Sequence, residues 1–161
     1  MSEQLKDFPK VDTRELEQAM LAIAQDRRLT SAAYGLAMET RIYNHAQNPQ
    51  ASYAEYREDF LRLESSEFLQ QQLFTALRYM ERLIPTKSAN QQSPHSYALK
   101  HWAERWGHKQ GYCGYVSNGV IILAATMLNF PLSGKGNPFI GVSRKSLRSL
   151  KQDARRMSDR P

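Results

Sequence analysis

The sequence has one cysteine, Cys113, in 161 residues, so it makes no internal disulfide and offers no paired cysteines at zinc-ligand spacing. Such usage fits a reducing compartment, and the cytoplasm is the expected location. No apolar run approaches the roughly 20 residues that cross a bilayer. The longest, residues 120–128, is interrupted by Thr126, and no membrane partner is expected. The opening MSEQLKDFPK lacks the basic start and apolar stretch of a secretory signal. Negative charge is scarce toward the C-terminus: beyond residue 93 only Glu104, Asp153 and Asp159 carry it.

The charge that is present is unevenly placed. The formal net charge is +6, yet residues 1–93 hold 11 basic and 13 acidic side chains. Residues 94–143 hold four basic and one acidic, and residues 144–161 hold seven basic and two acidic. A near-neutral N-terminal part is thus joined to a basic C-terminal part, a layout suited to an anionic partner. The plainer alternative is a solvated, Arg-rich terminal helix. With 41% hydrophobic and 24% charged residues the chain has the composition of an ordinary globular protein.

Periodicity and capping residues predict an all-α fold, a helical bundle of about six to seven helices. A short extended segment is expected near 112–116, where Gly111-Tyr112-Cys113-Gly114-Tyr115-Val116 is aromatic and bounded by glycine. Asp12 with Glu15 makes a capping box ahead of Leu16, Ala19, Met20 and Ile23. Thr30 or Ser31 caps a second helix with Tyr34, Met38 and Ile42 inward, which Asn48-Pro49 ends. Ser52 with Glu55 opens a third, carrying Tyr53, Tyr56, Phe60 and Leu63. Ser65 or Ser66 opens a fourth, with Leu69, Leu73, Leu77, Met80 and Ile84 inward, which stops before Pro85.

The polar stretch PTKSANQQSP reads as a linker between an N-terminal helical bundle, 1–86, and a helical unit, 94–143. In that unit Ser96 starts a helix with Leu99, Trp102, Ala103 and Trp106 on its apolar stripe and Gly107 as its expected end. Ser117 caps a helix that is apolar all round, and Pro131 ends it. Residues 132–142 read as a loop. Ser143 then caps a basic terminal helix or tail, 144–161, whose apolar face is Leu147 and Leu150.

Three candidate sites follow. Tyr97, His101, Glu104 and His108 recur at steps of four, three and four residues, so they share one helix face. Two histidines and a carboxylate suit a metal or acid–base work. The spacing is not that of HExxH, and a solvated polar stripe is the plainer reading. The start of the all-apolar helix, Ser117-Asn118-Gly119, offers unpaired N–H groups to an anion, with Lys100, Arg105 and Lys109 near in sequence. The alternative is an ordinary serine cap. Finally, Arg144, Lys145, Arg148, Lys151, Arg155, Arg156 and Arg160 can neutralise several phosphates. Trp102, Trp106, Tyr112 and Tyr115 nearby suit either stacking on single-stranded bases or a core. Cys113 fits a buried thiol better than a nucleophile, since no base is fixed beside it.

Residues 96–130 resemble a pattern of small accessory proteins of bacterial plasmids and phages. Ser96, Tyr97, Leu99, Lys100, His101 and Glu104 carry it, followed by Tyr115, Val116, Ser117, Asn118, Gly119, Ile122, Ala124, Ala125 and Phe130. Asn137, Phe139, Ser143 and Leu147 extend it. Where that pattern often has glycine before the phenylalanine, this chain has Asn129, a residue that also tolerates the left-handed conformation. The resemblance implies a mobile-element setting and a shared fold unit, and it brings no catalytic residues.

The function expected from these features is a non-enzymatic, nucleic-acid-associated accessory protein. It would hold the phosphate backbone of DNA or RNA through its basic C-terminal half, using Lys100, Arg105, Lys109, Ser117, Asn118, Arg144, Lys145, Arg148, Lys151, Arg155 and Arg156. A protein-binding inhibitor or adaptor acting on a host or defence complex is the alternative, with Tyr53/Tyr56 or Trp102/Trp106 as its hot spots. A polar site of Tyr97, His101, Glu104 and Tyr115 is kept for an enzyme reading, although no reaction, metal or cofactor is assigned to it. A homodimer is left open.

Overall fold

The computed structural model describes residue 12 and residues 14–19, 66–134 and 137–158, with the side chains of residues 154 and 156–158 excepted. The helices expected around Tyr34 and around Tyr53–Leu63 lie outside the described residues. So does the count of six to seven, which depends on them. What is described is mostly helical: a segment at 14–19, then α1 (Glu67–Glu81), α2 (Ser96–Gln110), α3 (Asn118–Met127) and α4 (Arg144–Ser158). Two-residue strands β1 (Leu132–Ser133) and β2 (Phe139–Ile140) lie between α3 and α4. Among the described residues no helix is long and apolar enough to cross a membrane.

Helix starts follow local chemistry. Asp12 Oδ1 accepts from the Glu15 N–H at 3.0 Å and opens the 14–19 segment, whose Leu16 and Ala19 are buried. Ser66 Oγ accepts from the Leu69 N–H, Ser117 Oγ from the Val120 N–H, and Ser143 Oγ from the Ser146 N–H, each at 3.3 Å. α2 begins behind His95 without a side-chain cap. There the Ser96 N–H donates to the Pro138 carbonyl instead, so β2's approach satisfies it.

Helix ends are where local pattern and structure part. Gly107 does not stop α2. The helix runs to Gln110, and Gly111, at φ 81°, closes it, with the Tyr112 N–H on the Gly107 carbonyl and the Gly111 N–H on the His108 carbonyl. Asn129, at φ 61°, ends α3 in the same way, its N–H on Thr126 and that of Phe130 on Ala125. α1 stops at Glu81, so Ile84 lies beyond it and is exposed, while Leu83 turns inward in its place. Residues 112–116 carry no strand. The strands form instead within 132–142, expected to be a loop, where Leu132 pairs with Ile140 and Ser133 with Phe139.

α3 is the centre of the molecule. Its Val120, Ile121, Ala124 and Ala125 are wholly excluded from solvent, and it packs against both α1 and α2. Leu73, Ala76, Tyr79 and Met80 of α1 join Leu99, Ala103 and Trp106 of α2 in that core. Leu147 and Leu150 of α4 join the same core, and α4 packs against α2. Residues 85–94 are tied to the segment around β2. Pro85 bridges to Val142, the Ile140 N–H donates to the Pro94 carbonyl, and the Ser143 N–H donates to the Ile84 carbonyl at 2.7 Å.

Candidate nucleic-acid interface

Leu147 and Leu150 fix the rotation of α4 on the core, and that rotation decides where its cations go. Arg144, Arg148, Lys151 and Arg155 recur at steps of four, three and four residues, so they form one stripe along the helix. Across from it, α2 presents Arg105 and Lys109 on the edge next to Trp102. Between the two helices lies an open cavity of about 160 Å³. Arg105, Lys109, Lys151 and Arg155 line it together with Tyr79, Trp102, Trp106 and Leu150, and no carboxylate does so among the described residues.

The cations are held over apolar surface. Lys151 Nζ lies 3.4 Å from the centroid of the Trp102 ring, a close cation–π contact. Trp106 is buried against Tyr79 at 5.8 Å and Tyr112 at 5.8 Å. Burial lowers the pKa of Lys151, and repulsion from Arg155 and Arg105 lowers it further. The fold therefore disfavours the charged form of Lys151. Below its lowered pKa the folded and unfolded chains both hold the proton. As pH climbs through that value toward the ordinary 10.5, the folded chain releases it first, so stability rises across this window. Thermal denaturation of the native chain and of Lys151→Met, compared from neutral pH up to that value, should show the native chain gaining on the variant. A constant gap, or one moving the other way, contradicts the crowding of charge around Lys151.

The remaining predicted phosphate ligands sort by surroundings. Arg148 is exposed, and Arg144 is exposed with its guanidinium donating to the Gln92 carbonyl at 3.0 Å. Lys145 lines a separate hollow with Arg82 and Asp153. The Arg156 side chain lies outside the described ones, as does Arg160. Lys100 is committed elsewhere: its Nζ is 2.9 Å from Glu104 Oε1, and its side chain is only 12% exposed. Ser117 and Asn118 are buried at 1% and 2% exposure. Ser117 N–H donates to Gln72 Oε1, and Asn118 Nδ2 donates to Asn137 Oδ1 at 2.9 Å, so the start of α3 finds its partners inside the chain.

The polar face of α2 does come together, around Glu104. Its Oε1 takes Lys100 Nζ and lies 3.2 Å from His101 Nδ1, and its Oε2 accepts the Val116 N–H at 3.4 Å. Tyr97 meets the His101 ring edge-on at 4.6 Å, and Lys100 sits over both Tyr97 and Tyr115. A carboxylate engaged by three groups anchors the 112–116 segment to α2 and is no free general base. His108 lies away from it, beside Gly114. Among the described residues no three His, Cys, Asp or Glu side chains gather to hold a metal. Cys113 is buried with its thiol on the Tyr115 carbonyl, and burial, with the Glu104 charge, pushes its pKa up, away from a thiolate.

Two residues of the interior were not visible as site residues in the sequence. Tyr79 falls beside the regular apolar stripe of α1 and reads as a flank, yet it is buried and lines the cavity. Gln72 belongs to a run of three glutamines that reads as solvent-facing, yet it is 1% exposed and fixes the entry to α3. The chain matches no family model, and neither a curated protein nor a solved structure is significantly similar to it.

Proposed function

We propose that this chain is a non-enzymatic, nucleic-acid-associated accessory protein that grips the phosphate backbone with cations of α2 and α4. One observation carries the reading: Arg105, Lys109, Lys151 and Arg155, from two helices, converge on a single cavity whose described lining has no carboxylate. Arg148 and Arg144 continue the charge along α4. Ser117 and Asn118 are left out of this interface because they are buried, and Lys100 because it is paired with Glu104 on another face of α2. Reading of base edges by α3 is excluded by its burial, so binding is dominated by phosphates, with little sequence preference. The resemblance of residues 96–130 to plasmid and phage accessory proteins supports a mobile-element setting.

The test is fluorescence anisotropy of a labelled oligonucleotide at low salt, with the native chain and with Arg105→Glu/Arg155→Glu. Reversing two cations should weaken binding by about a hundred-fold or more, at roughly one factor of ten per charge-assisted contact. Unchanged affinity overturns the placement of the interface.

A protein-binding adaptor is the second reading, and a different surface favours it. Phe68, Tyr97 and Tyr115 are 54%, 50% and 45% exposed, and Phe68 stacks on Tyr115 at 5.9 Å around the Lys100–Glu104 pair. Exposed aromatics about a half-buried ion pair are the material of an interface hot spot.

A further inference from the structure

The α2–α4 cavity has a shape and a chemistry that backbone gripping alone does not require. A phosphodiester inside a strand carries one negative charge and continues on both sides, so it suits an open ridge. Here four cations surround a concavity of about 160 Å³, close to the roughly 150 Å³ that admits one benzene ring. A single phosphate group fits such a space. A phosphate at a strand end carries close to two charges at neutral pH, and clustered Arg and Lys donors are its usual receptor.

A second, independent feature lies in the same wall. Tyr79 is 1% exposed and lines the cavity, and its hydroxyl has no hydrogen-bond partner. A buried hydroxyl left without a partner is costly and uncommon. Burial raises the pKa of Tyr79, so the group stays a donor. The hydroxyl is sealed from solvent in the free protein, so an acceptor oxygen reaches it only when the side chains around it shift. Trp102 and Leu150 surround the cations with apolar surface, which strengthens each charged contact formed there.

We infer that this cavity seats a terminal phosphate, the phosphomonoester at the end of a nucleic-acid strand, with Arg105, Lys109, Lys151 and Arg155 around it and Tyr79 donating to it. The inference rests on the nucleic-acid reading above and sharpens it from backbone to strand end. The next phosphodiesters leave along α4 over Arg148 and Arg144, which follow Lys151 toward the N-terminus at intervals of about one helical turn.

The experiment uses the full native chain and a single strand of about ten nucleotides, prepared with a 5′-phosphate, with a 3′-phosphate or with hydroxyls at both ends. Binding is read by intrinsic fluorescence, because the only two tryptophans, Trp102 and Trp106, both line the cavity. One phosphorylated form should bind about ten-fold or more tighter than the hydroxyl form and should change the tryptophan emission. Tyr79→Phe, which keeps the ring and removes the hydroxyl, should shrink that preference. Equal affinity for all three strands overturns the end-phosphate seat and leaves backbone gripping standing; loss of binding to all three overturns both. A nucleoside monophosphate or inorganic phosphate that binds as tightly as the phosphorylated strand assigns the cavity to a free phosphate compound and overturns the strand-end assignment.

Discussion

Replacing Ile121 by alanine should lower the unfolding free energy by about 3–4 kcal/mol, near the middle of the range for deleting a buried Ile or Leu side chain. Ile121 is wholly buried at the centre of α3, the helix that α1 and α2 both cover. The loss comprises the apolar transfer term and the cavity that rigid neighbours fail to fill. For a chain of this length it corresponds to a fall in melting temperature of roughly 10 °C. Ile84 is the control. It is 61% exposed beyond the end of α1, so Ile84→Ala should change stability by no more than about 0.5 kcal/mol. Chemical denaturation of both variants decides the matter: equal costs contradict the placement of α3 as the core and of Ile84 outside it.

Gly107→Ala should also destabilise, although helix propensity argues the other way. Inside a helix, alanine is favoured over glycine by about 1 kcal/mol. Here an added Cβ would lie 2.4 Å from Thr75 Cγ2 and 2.9 Å from the Cys113 carbonyl oxygen. Thr75 does not swing aside freely, because the single proton of its hydroxyl is shared between the Gln71 carbonyl at 3.1 Å and the Cys113 carbonyl at 3.0 Å. Overpacking of this kind costs about 1–3 kcal/mol, and contact with backbone as well as side chain puts Gly107→Ala at the upper end. The net loss is about 2 kcal/mol. Thr75→Ser removes the methyl and keeps the hydroxyl, so the double variant should recover part of the loss. A Gly107→Ala protein more stable than the native one contradicts the close approach of α1 and α2.

The same glycine shows what the sequence reveals and what it withholds. A glycine near a helix end reads as a terminator, and only the packing of Thr75 explains why this one lies inside α2 while Gly111 takes the left-handed turn. Caps were legible because their chemistry spans three or four residues: Asp12, Ser66, Ser117 and Ser143 all hold the helix starts they suggest. The burial of α3 was legible from its unbroken apolar composition. The short strands were not: each is only two residues long, too short for an alternating pattern, and they pair with each other while isolated bridges tie Phe139 and Val142 to the distant His95 and Pro85. The cations of the site were legible as types and as a basic half. Their meeting on one cavity was not, since it depends on how Leu147 and Leu150 rotate α4 against α2. Nothing in the local pattern separates Tyr79 from a surface tyrosine.

The central claim is that converging cations of α2 and α4 hold phosphates, and the dependence of binding on salt tests it most directly. The association constant of the native chain for a single-stranded oligonucleotide is to be measured from low to near-physiological salt. Four to six phosphate contacts predict a slope of log K against log salt of about −3 to −4, flattened by roughly 0.7 for each cation removed from the cavity or from the Arg144–Arg148 stripe. Binding that does not respond to salt, or no binding at low salt, would contradict the account.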